Sequence, residues 1–462
     1  MPNRTKLAHV RVLLLPAAAG LLAVATPTSA EACREVPMCV TIEASLEDAI
    51  FGTLMGHPWP ARGMRVTVIR PYPEAPLSMY LDQEGCTSFE SQFHAGFQFL
   101  IYPEAILGGS DNIRIKAYRI GENGTVNPDP EAPTTPDFVV AEPVTDANNE
   151  IALSIPYSDV WSVMAVATHV IHRVDTASGL GTSPLTGDHE LLIVRTNYPN
   201  SRALNFFEAG ENAPSHKFVV GHEIGHWMQA EVNEQLGGSR ATSFDYDYFA
   251  QNSPCKFGVT GTESEMNALK SHGIRSAEYS SSAMNEGFGH YVGAVAFNEV
   301  DSHFGLFRYY KEIDLVKFPD YSDFAMDGSQ VNLAGGDSTV LGGQSAWVET
   351  ECDDDWAWPD EGIEGEEVTS EIDWLRFFWG LSTADEMTYG SAMPFWDVVH
   401  LLGFTHSGAS GAYDWDTPGP LYCNVLGALT DNQSGLAGYE DRFVALTELN
   451  GVSYESPTAC GL

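Results

Sequence analysis

The stretch Val219–Glu231, VVGHEIGHWMQAE, restricts the possible fold more than any other part of the chain. Phe218, Val219, Val220, Ile224, Trp227 and Met228 surround His222, Glu223 and His226, a composition that suits a buried helix. Pro214-Ser215 opens that helix and Gly237-Gly238 closes it. Residues four apart on a helix lie one above the other, so His222 and His226 direct two imidazoles at one point. Glu223 sits just off that line, where its carboxylate reaches a water held at the same point. These residue types at this spacing suit a zinc ion. Zinc lowers the pKa of its water to about 7 and polarises a carbonyl oxygen. A neighbouring glutamate can take the water's proton and pass it to a leaving amine.

Catalytic zinc takes three protein ligands and keeps one open position. One known solution places a further His six residues after the second, with a Gly between. Gln229 and Val232 occupy those positions here, which excludes it. The other solution draws a Glu from a second helix. The segment SSAMNEGFGHYVGAVAF (281–297) provides one, with Ser281 or Ser282 as its cap and Glu286, His290, Gly293 and Phe297 on one face. Gly287, Gly289 and Gly293 weaken such a helix intrinsically, a cost that makes sense if it packs closely on another backbone. Glu286 is therefore the expected third ligand. Glu263, Glu265 and Glu278 are weaker candidates because no comparable helix surrounds them.

His222-Glu223-Ile224-Gly225-His226, followed by Asn285-Glu286-Gly287-Phe288-Gly289-His290-Tyr291, resembles the gluzincin metallopeptidases, which include the thermolysin-like and membrane-alanyl-aminopeptidase-like families. The resemblance covers these two short motifs. It implies that His222, His226 and Glu286 hold Zn2+ and that Glu223 is the general base. In the aminopeptidase branch the two motifs stand close together. Here Glu286 follows His226 by 286 − 226 = 60 positions, and the segment with Asp245, Asp247 and Cys255 reads as an insertion. The thermolysin branch often has an Asp four residues after the ligand Glu. His290 stands there in this chain, as a partner of a ligand His or as a rival ligand. The group also uses a Tyr or His to stabilise the oxyanion. Tyr279, His290, Tyr291, Tyr389 and His400 are the candidates, none of them in a matching motif. The sequence EAGEN (208–212) superficially resembles the aminopeptidase motif for a free amine, but lies too close to His222. An endopeptidase is expected over an aminopeptidase.

The chain has 462 residues and a net charge of −40, which disfavours nucleic acid and anionic membrane as partners. Arg4, Lys6 and Arg11, the apolar run 12–25 and Thr28-Ser29-Ala30 form a signal peptide over residues 1–30, so the protein is expected to be secreted or extracytoplasmic. Cys33 follows Ala30-Glu31-Ala32, a poor context for lipid attachment, and no later segment reads as an integral membrane span. Seven cysteines in an exported chain suggest disulfides, and proximity favours Cys33–Cys39 and Cys423–Cys460.

Residues 38–120 read as short strands, among them 65–70, 86–89, 97–103 and 112–120, with 149–156 as a last one. Prolines 128–143 read as a stiff connection. The texture turns helical at 157, where Ser158 caps an apolar helix on which His169 and His172 read as ordinary helix residues. The segments 190–196 and 202–207 read as strands. The acidic run from Glu349 to Asp373 reads as a solvated loop, with structural Ca2+ as the alternative. Residues 371–381 read as a core helix, and 392–450 as mostly helical.

The expected fold class is α+β. An accessory β-sandwich and linker (31–156) would precede a zincin-like domain (157–462) with a mainly helical C-terminal lobe. The expected function is a secreted zinc metallopeptidase acting on peptide or protein substrates, with 190–207 supplying an edge strand for substrate pairing. The alternative is a secreted surface-binding protein whose zincin part is structural or inactive; a smaller one is hydrolysis of a non-peptide bond by the same zinc water. Glu223 separates a catalytic from a structural site, because only the former needs a base.

Overall fold

The computed structural model describes residues 33–48, 52–93, 95–107, 112–118, 139–141, 144–145, 150–156, 159–176, 185, 187–194, 203–205, 217–235, 278–298, 306–308, 330–332, 368–369, 371–384, 386–407, 429–430, 436–450 and 452. The signal peptide, most of the proline-rich connection, EAGEN, the 239–277 insertion and the acidic run up to residue 367 lie outside them. An N-terminal β-sheet region is followed by a mainly helical C-terminal part.

Strands β1 (Arg34–Asp48), β2 (Gly52–Pro60), β5 (Cys86–Ser91), β9 (Val144–Thr145) and β10 (Ile151–Ile155) form one sheet. The long β1 is its centre. Its first half pairs with β5, its second half with β2, and β10 runs parallel beside it. The second sheet takes the order β12-β11-β7-β6-β3-β4. Its strands are β3 (Met64–Ile69), β4 (Leu77–Tyr80), β6 (Gln98–Leu107), β7 (Asn112–Tyr118), β11 (Asp188–Val194) and β12 (Ala203–Asn205), with β8 (Val139–Ala141) also on β6. Alternation places Met64, Val66 and Val68, then Phe99 and Ile101, then Ile113 and Ile115 on the inward face. The two sheets contribute to one apolar core.

This second sheet crosses the change of texture at residue 157. β11 pairs in parallel with β7, Leu191 opposite Ile115, and β12 adds in parallel as the terminal strand. Helix α1 (Asp159–Thr176) lies against β1, β6 and β7 on one side and against α2 (Lys217–Gln235) and α3 (Ser280–Phe297) on the other. Its continuous burial from Trp161 to Val166 matches its apolar character all round. His169 donates from Nε2 to the Ala296 carbonyl at 3.1 Å, between the rings of Trp59 and Phe297, as befits a packing residue.

The C-terminal part comprises α4 (Glu371–Thr383), the short α5 (Glu386–Tyr389), α6 (Phe395–Ser407) and α7 (Glu440–Asn450). Trp374, Phe377, Phe378 and Phe395 are buried between them and α3, while Trp396, also buried, donates its indole N–H to the Val174 carbonyl of α1 at 2.7 Å. Arg442 on α7 is buried and closes the end of α4. Its guanidinium donates to the carbonyls of Gly380, Leu381, Ala384 and Gly390 at 2.6–2.9 Å.

The disulfide corrects one expected pairing. Cys39 is bonded to Cys86, its direct partner across the β1–β5 ladder, and Cys33 is free and exposed. Cys33 and Cys39 are six residues apart along an extended segment, about 20 Å at strand rise, which no disulfide spans. Cys423 and Cys460 lie outside the described residues. Among the described residues no helix is long and apolar enough to cross a membrane.

Candidate metal centre

Helices α2 and α3 approach at backbone distance through paired glycines. A Cβ on Gly221 would stand 2.7 Å from the Gly293 Cα, and one on Gly225 would stand 2.8 Å from the Gly289 Cα. Two larger residues at either level would hold the axes farther apart. This is the close packing expected from the glycines of 281–297. It brings the face of α2 that carries the two histidines against the face of α3 that carries the glutamate.

The three expected ligands meet there. His222 Nε2 lies 3.0 Å from His226 Nε2 and 3.1 Å from a Glu286 carboxylate oxygen, while His226 Nε2 lies 3.6 Å from the other oxygen. Four ligands held tetrahedrally at about 2.0–2.1 Å are separated by about 3.3 Å. The triangle therefore fits a tetrahedral ion of zinc size, and two imidazoles with one carboxylate form a donor set that zinc takes. His222, His226 and Glu286 form a largely buried group that could hold a metal ion. Burial, followed by the neighbouring His290 and His226, lowers the His222 pKa to about 3. Burial also opposes charge on His226, but the Glu286 carboxylate overcomes it and raises that pKa. Glu223 is half-buried beside the ligands, and its charge adds to the rise at His226.

His290 lies behind His222, away from the ligand triangle. Its Nδ1 is 3.0 Å from His222 Nδ1, and its Nε2 donates to Glu371 Oε2 at 2.8 Å. Both His290 and Glu371 are fully buried. In this arrangement His290 contacts the back of His222 and lies outside the His222–His226–Glu286 group.

The sequence places Glu371 both at the end of the acidic run, read as a solvated loop, and at the start of the core helix 371–381; the helix is borne out, and the solvated reading is corrected at Glu371 and Asp373. Glu371 and Asp373 are buried in the first turn of α4. The reason is tertiary: α4 packs on α3, where His290 satisfies Glu371. One sequence cue was present. Glu371 shares a helical face with Trp374, Leu375 and Phe378, so an acidic residue begins an otherwise apolar stripe.

The remaining candidates are dispersed. Tyr291 is buried against Phe288, Phe378 and Phe395, its hydroxyl 2.5 Å from Ser382 Oγ, and burial raises its pKa. His400 is half-buried on α6, its pKa lowered by burial against the opposing charge of Asp397. Tyr389 is half-buried at the end of α5, packed against the core. Tyr279 lies on β13 (Glu278–Tyr279), paired with Val368 just before α3 begins.

No protein-family model, curated protein or solved structure matches the chain.

Proposed function

We propose that the protein is an exported zinc metallopeptidase, an endopeptidase in preference to an aminopeptidase. The observation that carries this reading is the convergence of His222, His226 and Glu286 from two helices, with Glu223 on the same helix turn as the histidines. A bound zinc ion would supply an acidified water and a Lewis acid for a substrate carbonyl. Glu223 has the position and the chemistry to accept a proton from that water and to return it to the departing amine. His222 and His226 must be neutral to ligate: burial holds His222 neutral, whereas Glu286 favours charge on His226, whose proton a bound cation would displace. β12, the terminal strand of its sheet, offers backbone donors and acceptors for an extended substrate. A zincin-like arrangement, export through residues 1–30 and a peptide or protein substrate belong to the same proposal.

The test is hydrolysis of a quenched-fluorescent peptide library by the purified mature protein and by Glu223→Ala. Cleavage by the wild type that drops by about 10²–10⁴ in the variant, with zinc still stoichiometric, supports the reading. Zinc bound by both proteins with no peptide cleaved by either, even after trial proteolytic activation, would shift the assignment to a binding protein or to another hydrolysable bond.

A further inference from the structure

We infer that Glu371, acting through His290, sets the tautomer of His222 and so prepares it as a metal ligand. The inference rests on the zinc reading given above and concerns how this chain supports it.

The argument follows the protons. An ionised carboxylate only accepts hydrogen bonds, so the 2.8 Å contact places a proton on His290 Nε2. A neutral imidazole has one N–H, which leaves a lone pair on His290 Nδ1. The contact of 3.0 Å between that atom and His222 Nδ1 then requires His222 to donate. With its proton on Nδ1, His222 presents a lone pair at Nε2, the atom that faces His226 and Glu286. The opposite arrangement, with His290 donating from Nδ1, would place a proton on His222 Nε2 and block ligation there. It would also require either a fully buried imidazolium beside Glu371 or a proton on the Glu371 carboxyl itself.

The backbone is shaped for both contacts. A Cβ on Gly289 would stand 2.7 Å from His222 Nδ1, so glycine there lets the ring lie against α3 within reach of His290. A Cβ on Gly287 would stand 2.5 Å from the Trp374 Cβ and 2.7 Å from the Glu371 carbonyl oxygen, so glycine there lets α4 come close enough to present Glu371. Glu371 touches neither the proposed ion nor a substrate site in this arrangement. It is a positioning residue for His222, acting across three helices. A carboxylate behind a ligand histidine also raises the ligand's basicity, and here one imidazole transmits that influence to another.

Two measurements on the full mature protein test this. The first is zinc affinity by competition with a chromophoric chelator, for the wild type and Glu371→Gln, with circular dichroism to check the fold. Glutamine keeps the shape but loses the charge, and its amide can donate as well as accept. The expected result is a 10–100-fold loss of zinc affinity. The second is nitrogen-15 NMR of the histidine side chains in zinc-free wild type. It is expected to show the proton on Nδ1 of His222 and on Nε2 of His290. Equal zinc affinity in a folded Glu371→Gln protein, or a proton on His222 Nε2 in the wild type, would overturn the inference and leave the zinc site standing. A wild type that binds no zinc would remove both. Should Glu371→Gln not fold, the wild-type tautomers alone decide.

Discussion

Gly289 lies against His222 so closely that a Cβ at 289 would stand 2.7 Å from the imidazole Nδ1. The ring is buried and cannot swing aside without leaving its partners on α3 and α2. Gly289→Ala is therefore expected to lower stability by about 1–3 kcal/mol and also to displace His222, a proposed metal ligand. Gly225→Ala strains the same helix pair against backbone and is expected to cost a similar amount. Denaturant midpoints measure the first effect, and zinc content after dialysis measures the second. A Gly289→Ala protein as stable and as zinc-loaded as the wild type would show that the helices have room to spare.

Arg442 gathers four carbonyls around the end of α4 from a buried position. Replacing it by Met fills the volume but removes the guanidinium donor from all four, leaving Gly380 and Leu381 with the Ala384 and Met393 amides alone. The expected loss is about 3–5 kcal/mol, since hydrogen bonds to a charged donor contribute more than neutral ones. Lysine restores the charge but not the planar fork, so Arg442→Lys should recover only part of the loss. Equilibrium urea unfolding of the three proteins checks the order wild type, Lys, Met.

His169 titrates in a window set by its burial between Trp59 and Phe297. Burial lowers its folded pKa from 6.5 to about 4. Above about pH 6.5 both folded and unfolded forms are neutral and the stability is fully present. As pH falls through 6.5 the unfolded chain takes up a proton that the folded one refuses, so stability is lost down to about pH 4, by about 3 kcal/mol in all. His169→Gln keeps an N–H for the Ala296 carbonyl and should flatten this part of the pH profile. An unchanged slope between pH 7 and 5 in that variant would assign the dependence to other groups.

The Cys39–Cys86 bond closes a segment with a sequence separation of 47. Loop-closure entropy for that length corresponds to about 4 kcal/mol, an upper figure for engineered and native bridges alike. Replacing both cysteines by Ala is expected to lower the denaturation midpoint, while Cys33→Ala leaves it unchanged. Thermal unfolding of both variants measures the contrast.

His222, Glu223, His226 and Glu286 were legible because helical spacing is a local property, and two short motifs carry it. The glycines on 281–297 even indicated how closely the second helix would pack. Glu371 was not legible, because its position in an acidic run says nothing of what α3 places opposite it. The cysteines failed for a related reason. Closeness in sequence suggested Cys33 as the partner of Cys39, whereas strand register, decided by the whole ladder, brought Cys86 there. The strands expected at 65–70 and 112–120 followed from alternation, which local sequence also carries, and they stand at 64–69 and 112–118. Alternation does not say which strands become neighbours, and so it gave no sign that β11 would join β7.

That junction has a consequence for how the chain is made. β7 precedes β11 in the chain, and the antiparallel strands paired with it lie upstream. Asp188–Val194 completes its pairing on the edge that β7 provides, and β12 and then the helix bearing His222 follow in sequence. A chain begun at residue 157 would present the same strand with a bare row of amides and carbonyls where its template should be. The N-terminal strands therefore supply the edge on which the first strand of the distal half is completed.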